Sequence, residues 1–306
     1  MEAARPIGKR TASGAPRSAL RGIAFMVAGG ACFAVMDSLV KWVSPRFAIS
    51  QIIFFRSLFA LLPIGVLAAR EGGLRALRTA RPGGQVLRSL CGLISLCSFV
   101  YAFGHMPLAD AVGIGFSAPI LITALSVPLL GESVGIRRWS AVLVGFVGVI
   151  IIVRPGGGVL QATALVAFVG TLFYALAMIL IRQLGRSETT IAIAFYYSAT
   201  CIVVAGAALP FQWATPDLAD GLCLLALGII GGFGQLFVTA AFRSAPVAIV
   251  APFDYVSIIY VSLIGYAVWG DVPDAPLLVG AAILVASGLY ILHRETRRGR
   301  GSQVGE

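Results

Sequence analysis

Charge is scarce along this chain. Asp, Glu, Lys and Arg make up only 12% of its 306 residues against 58% hydrophobic ones, and the mean hydropathy is +0.94. A soluble fold needs far more polar surface, so an assembly of one or two soluble domains is excluded. Histidine is almost missing: His105 and His293 each stand alone at the end of an apolar run, which leaves no metal site to build. The five cysteines, Cys32, Cys91, Cys97, Cys201 and Cys223, lie inside apolar runs with no Cys-x-x-Cys spacing. They read as small packing residues, neither disulfide partners nor metal ligands. Walker, Gly-x-Ser-x-Gly and His-Glu-x-x-His motifs do not occur, so neither an enzyme nor a bound cofactor is expected. Acids are also short: 13 against 23 basic residues give a net charge of +10. The basic residues fall in tails and short connections between apolar runs, and they form no stripe that would suit nucleic acid.

What is abundant is apolar sequence in runs of membrane length. At 1.5 Å per residue, about 20 residues of helix cross a hydrocarbon layer roughly 30 Å thick. Hydropathy predicts ten such spans, at 22–41, 48–69, 86–105, 108–130, 139–154, 160–181, 190–209, 221–242, 246–269 and 276–292. Residues 1–21 and 293–306 are polar and basic, and they are expected to be tails, the first disordered. The first tail and the apolar run after it could pass for a signal peptide, but with so many spans following, an uncleaved first helix is the expectation. The tails and alternate connections hold 19 of the Lys and Arg residues, whereas the remaining connections hold Lys41, Arg46 and Arg154 alone. Such a bias predicts both termini in the cytoplasm, an even number of spans and a multi-pass membrane protein.

The chain repeats itself. Residues 101–132, YAFGHMPLADAVGIGFSAPILITALSVPLLGE, recur in altered form at 240–271, AAFRSAPVAIVAPFDYVSIIYVSLIGYAVWGD. Placing Met106-Pro107 on Ala245-Pro246 brings Gly131-Glu132 onto Gly270-Asp271 without a gap. Gly30-Ala31-Cys32-Phe33-Ala34 likewise lies over Gly170-Thr171-Leu172-Phe173-Tyr174, and Phe54-Phe55-Arg56-Ser57 over Phe195-Tyr196-Tyr197-Ser198. Residues 22–155 and 160–292 are thus two copies of a five-span unit. Because five is odd, the second copy must enter the membrane in the opposite sense. The expected fold is an all-α integral membrane bundle of ten transmembrane helices in two inverted five-helix repeats, a design that places substrate at the repeat interface near the midplane.

This pattern resembles the EamA-type transporters of the drug/metabolite transporter superfamily over residues 20–293: ten spans, two repeats, and Gly-Glu or Gly-Asp closing the fourth span of each. Met36-Asp37-Ser38-Leu39-Val40-Lys41, Phe55-Arg56-Ser57 and Pro107-Leu108-Ala109-Asp110-Ala111 resemble the branch with S-adenosylmethionine and riboflavin importers; other members export amino acids or their metabolites. The second repeat has Ala248-Ile249 where Ala109-Asp110 stands in the first. The resemblance implies a secondary transporter with a small-molecule substrate and the lipid bilayer as partners, and it leaves proton coupling, direction and oligomeric state open. A channel would need rings of repeated charges or filter carbonyls, and a membrane enzyme a polar cluster at one face; neither pattern is present.

Four ionisable residues fall within or at the edge of the spans: Asp37, Arg56, Asp110 and Asp254. Charge at the bilayer centre costs at least roughly 2.5–3.5 kcal/mol, so each needs a partner, a wet cavity or a bound proton. Asp37 and Arg56 are at similar depth, as a structural ion pair or as substrate ligands. Asp254 follows Pro252-Phe253, where the proline frees helix carbonyls, and is the candidate for a cationic group or a coupling proton. Asp110 reads as an acid at a helix N-terminus. Glu132 and Asp271 read as caps or loop anchors. The aromatics Tyr101, Phe116, Tyr174, Tyr196, Tyr197, Phe253, Tyr255 and Tyr260 are too numerous to be an interfacial girdle alone. Phe116, Tyr174, Tyr197 and Tyr255 join Asp37, Arg56 and Asp254 as the expected lining for a flat or cationic solute.

Overall fold

The computed structural model describes residues 15–71, 73–130, 136–153, 159–185, 187–244 and 251–301. The tail before residue 15, Gly131-Glu132, residues 154–156, Ala245-Pro246, Ala248-Ile249 and the tail from residue 302 lie outside the described residues. Every regular element among those described is helical: α1 (Ala15–Val43), α2 (Ile49–Arg70), α3 (Pro82–His105), α4 (Leu108–Gly115), α5 (Ala118–Leu130), α6 (Ile136–Val153), α7 (Val159–Leu184), α8 (Thr190–Gln212), α9 (Leu218–Ser244), α10 (Ser257–Trp269) and α11 (Ala275–Gly301). Short 3₁₀ turns cover Gly73–Leu77 and Ala251–Val256. Among the described residues, seven segments are long and apolar enough to cross a membrane, α4 and α5 together making one of them, and α6, α10 and α11 supply three shorter apolar stretches. Large apolar side chains such as Leu143, Val147, Leu222 and Leu263 are exposed on the outside of the bundle, as a lipid-facing surface requires. The chain is a multi-pass membrane protein.

Two boundaries differ from those expected. The first helix begins at Ala15, inside the stretch expected to be a disordered tail. Pro16 sits in its first turn, where a missing N–H costs nothing, and Ala, Arg and Leu then favour helix. The last helix runs past His293 to Gly301 through Arg294, Glu295, Arg297 and Arg298, again good helix formers.

The fourth span is broken at Phe116-Ser117, between α4 and α5. Pro119 follows in the first turn of α5, where its missing donor is harmless, so the interruption falls just before it, while Pro128 is absorbed inside α5. Ser117 Oγ and N–H both donate to the Ile114 carbonyl, at 2.7 and 3.0 Å. The ninth span opens as the 3₁₀ turn containing Pro252 and Asp254 and becomes regular at Ser257.

The most extensive packing is α1 on α9, α3 on α7, α6 on α11, and α2 on α8 and α9. Glycines set these distances: a Cβ at Gly148 would come within 2.9 Å of the Gly280 carbonyl, and one at Gly170 within 2.6 Å of Ser98 Cβ. Polar contacts tie each end of the bundle. At one end, Lys41 Nζ donates to Asp271 at 2.6 Å, Arg46 to Asp220 at 2.7 Å, and the buried Gln51 bonds both N–H and carbonyl of Ala214 at 3.0 and 2.7 Å. At the other end, the Ala80 N–H donates to Glu188 at 2.9 Å, and Thr189 Oγ1 to the Ala76 carbonyl at 2.7 Å.

Candidate functional site

Seven expected site residues form one continuous run of neighbours through the middle of the bundle. Asp37 (α1) has Arg56 (α2) as its electrostatic partner. The two are not a close ion pair: among the described residues the close pairs are Lys41–Asp271 and Arg46–Asp220, and Arg56 Nε donates to Met36 Sδ at 3.4 Å. Arg56 is also an electrostatic neighbour of Tyr197 (α8), whose hydroxyl donates to the Gly92 carbonyl at 3.5 Å. Tyr197 neighbours Tyr174 (α7), and Tyr174 neighbours Asp254. Asp254 stands beside Tyr255, whose ring meets Phe116 edge-on with centroids 4.9 Å apart.

Two of these contacts join positions that the sequence repeat superimposes. Arg56 lies over Tyr197 in the repeat register, and Phe116 over Tyr255. The helical break has the same property, since α5 starts at Ala118 and α10 at Ser257, each directly after an interrupted segment that carries one member of the Phe116–Tyr255 pair. A half-helix start at this depth leaves backbone donors and acceptors available to a ligand.

The run borders open space. Tyr174 is 43% exposed although Asp254, Arg88 and Tyr197 surround it from three other segments, and Asp254 is exposed as well. A hydroxyl and a carboxylate left exposed in these segments can be met by water.

One residue of this group was not among those expected from the sequence. Arg88 stands at the very edge of the expected third span, 86–105, and counts with the basic residues of the connection before it, yet α3 begins at Pro82 and carries Arg88 into its second turn. Its guanidinium stacks over the Tyr197 ring at 4.3 Å, with Tyr174, Cys201 and Cys91 as further electrostatic neighbours. Gln85, Arg88, Ser89 and Gly92 share a helical face. The signal was the proline at the helix start, which pre-orders the first turn and extends the helix ahead of its apolar run. Gly92 makes room for Tyr197: a Cβ there would lie 2.8 Å from the ring.

Other candidates lie elsewhere. Tyr101 stacks on His105 at 4.1 Å, Tyr196 meets Phe195 edge-on, and Phe253 packs against Met26 and Ala241. Tyr260 packs against the main core, and Asp110 occupies the first turn of α4. Gly270 takes the left-handed conformation at φ 72° and closes α10, with the Gly270 and Asp271 N–H groups returning to the Tyr266 and Gly265 carbonyls. Asp271 then reaches Lys41; the cap of the following helix is Asp274, whose Oδ1 accepts from the Leu277 N–H at 3.1 Å.

Comparison with known proteins places this architecture. Residues 20–154 and 161–293 each match the EamA-like transporter family. The pseudopaline exporter CntI of Pseudomonas aeruginosa (strain UCBPP-PA14) is 31% identical over 271 residues, 87% of this chain and 94% of that protein. The S-adenosylmethionine uptake transporter of Rickettsia prowazekii (strain Madrid E) is 26% identical, over 91% of this chain and 94% of its own. The riboflavin transporter of Rhizobium johnstonii (strain DSM 114642 / LMG 32736 / 3841) is 27% identical, over 93% and 95% respectively. A solved crystal structure, 19% identical, superposes with a TM-score of 0.63 over 92% of this chain and 99% of its own, which bears on the fold alone.

Proposed function

Because the chain belongs to the EamA-like transporter family, we propose that it is an inner-membrane secondary transporter that moves a small organic metabolite by alternating access. In this reading ten helices form two inverted five-helix repeats, both termini are cytoplasmic, and substrate binds between Asp37, Arg56, Phe116, Tyr174, Tyr197, Asp254 and Tyr255. The observation that carries it is that these residues, drawn from both halves, are successive neighbours, with Tyr174 and Asp254 left exposed among them.

The packing supports the inverted arrangement. Exchanging the halves turns α1 on α9 into α7 on α3, and α2 on α9 into α8 on α3, both of which occur, while α2 on α8 and α6 on α11 map onto themselves. The end contacts support ten crossings. The α1–α2 and α8–α9 connections meet through Arg46–Asp220 and Gln51–Ala214, so an even number of crossings separates them, which requires the short α6 to cross along with its longer neighbours. The α10–α11 connection joins the same end through Lys41–Asp271, so α9 and the ninth span both cross.

The aromatic lining with isolated acids suits a flat or cationic solute, in keeping with relatives named for S-adenosylmethionine and riboflavin uptake. The similarity to a named exporter favours, as a second reading, export of an amino-acid-derived metabolite through the same cleft. The deciding experiment is uptake and counterflow in proteoliposomes across a metabolite panel that includes both compounds, with and without a proton gradient. Gradient-dependent movement of at least one solute, lost in Asp254→Asn at equal protein levels, is expected. No movement of any solute in either direction overturns the proposal, and unchanged gradient dependence in Asp254→Asn removes Asp254 from coupling.

A further inference from the structure

Arg88 poses a physical problem that its neighbours do not solve. Its Nε and Nη1 are buried without a hydrogen-bond partner, and on the same face of α3 the Gln85 Oε1 and Ser89 Oγ are also unpartnered. A buried guanidinium with two unmade hydrogen bonds is costly, and stacking on Tyr197 satisfies the face of the group but none of its N–H donors. Those donors are a planar fork, suited to two parallel bonds from a planar anion. The second cavity arginine is near: Arg56 addresses the same Tyr197, and both arginines are electrostatic neighbours of Cys201.

We propose that Arg88, seconded by Arg56 across the Tyr197 ring, binds the carboxylate of the transported solute, and that the solute is a zwitterion whose cationic group faces Asp254. The inference rests on the transport reading and narrows its substrate class. Given an anionic group on Arg88, charge balance selects a zwitterion over a simple anion. The cleft holds two arginines and two aspartates, Asp37 and Asp254, so a solute with one carboxylate and one ammonium or sulfonium leaves it neutral, whereas a phosphate dianion from a lipid headgroup or from solution adds uncompensated charge beside the two acids. Tyr174, neighbour to both Arg88 and Asp254, separates the two ends and offers its ring and hydroxyl to the body of the solute.

The test uses the purified full-length protein in detergent and reads thermal stabilisation by ligand. Probes are the proteinogenic amino acids and S-adenosylmethionine, each paired with its carboxamide or decarboxylated counterpart, together with riboflavin and inorganic phosphate. At least one acid should bind, and its carboxyl-blocked partner should bind at least about tenfold more weakly, the ratio of a lost charge-assisted hydrogen bond. Arg88→Met should abolish that preference while leaving affinity for the blocked partner within about twofold, and Arg88→Lys, which keeps the charge without the fork, should recover only part of it. If Arg88 only braces α3 against α8, Arg88→Met lowers the melting temperature and weakens acid and amide equally, which overturns the proposal. It is also overturned if no acid binds, if the preference survives in Arg88→Met, or if phosphate stabilises as well as the acids through Arg88. Riboflavin transport without carboxylate binding would sink this inference and leave the transport reading standing. Acid binding through Arg88 with no movement of any solute would do the reverse.

Discussion

Tyr197 stands between the two arginines: the Arg88 guanidinium lies on its ring at 4.3 Å, Arg56 is a further electrostatic neighbour, and its hydroxyl donates to the Gly92 carbonyl at 3.5 Å. The ring is held in place because Gly92 has no side chain to displace it. Replacing Tyr197 with Ala therefore releases both cations at once, and a desolvated cation–π contact is alone worth about 2 kcal/mol. Transport by Tyr197→Ala should fall by about thirtyfold, the equivalent of that loss. Tyr197→Phe keeps the ring and should fall less. Gly92→Val, which drives a side chain into the ring, should resemble Tyr197→Ala, while Cys91→Ala, one position earlier on α3, should stay close to the parent. Equal losses for Tyr197→Ala and Cys91→Ala at matched membrane levels would leave the aromatic lining without support.

At the scale of elements, the start of α3 is served by an acid from another connection. Burial pushes the Glu188 carboxyl up, but hydrogen bonds from Thr79, the Ala80 and Arg81 N–H groups and Gln85 outweigh it and hold the group below its ordinary 4.5. The negative charge also sits favourably at a helix N-terminus. Because the folded value is depressed, this contribution to stability is fully present above the ordinary value and is lost as pH falls through the folded one. The melting temperature of the purified protein should drop on acidification below about pH 4.5, the carboxyl's unperturbed value. Glu188→Gln should start lower at neutral pH and lose less over the same range; parallel curves would refute the assignment. This contact was not legible in the sequence, since it joins residues 108 positions apart through loop geometry. The same holds for the Lys41 partner of Asp271, although the Gly-Asp pair itself stood out. Most span positions were legible because apolar length alone specifies them. The break at Phe116-Ser117 was only half visible in the sequence: Pro119 and Pro128 mark the fourth span for a kink but do not fix its place. Arg88 was missed because, as the third residue of an expected span, it counts with the loop charges, whereas the helix begins earlier, at Pro82, and carries it inward.

For the molecule as a whole, alternating access requires that one end of the cleft be sealed while the other is open, and the seals must break in turn. Reporter fusions fix which end is which: Gly156 should read periplasmic and Ser302 cytoplasmic, and a cytoplasmic Gly156 would remove the odd-numbered first half and the inversion with it. The end carrying Lys41 is then the outer one. There Lys41 bonds Asp271 at 2.6 Å and lies over the Trp269 ring at 4.7 Å, tying α1 of the first half to the α10–α11 turn of the second. The pair is partly shielded, at 13% and 28% side-chain exposure, so it is worth more than a free surface pair, on the order of 1–2 kcal/mol. A seal of that size biases the closed state by about tenfold and can still be opened during each cycle. Removing it should therefore upset the balance between the two states without unfolding the bundle. Lys41→Glu and Asp271→Lys should each insert normally and transport several-fold more slowly, since each places like charges against each other. The double exchange restores an opposite pair and should recover most of the rate. If the double variant is as slow as the worse single one, although its melting temperature matches the parent, the pair is not a seal whose charge matters, and the outer closure must rest on the Trp42–Trp269 contact and the Arg46–Asp220 pair instead.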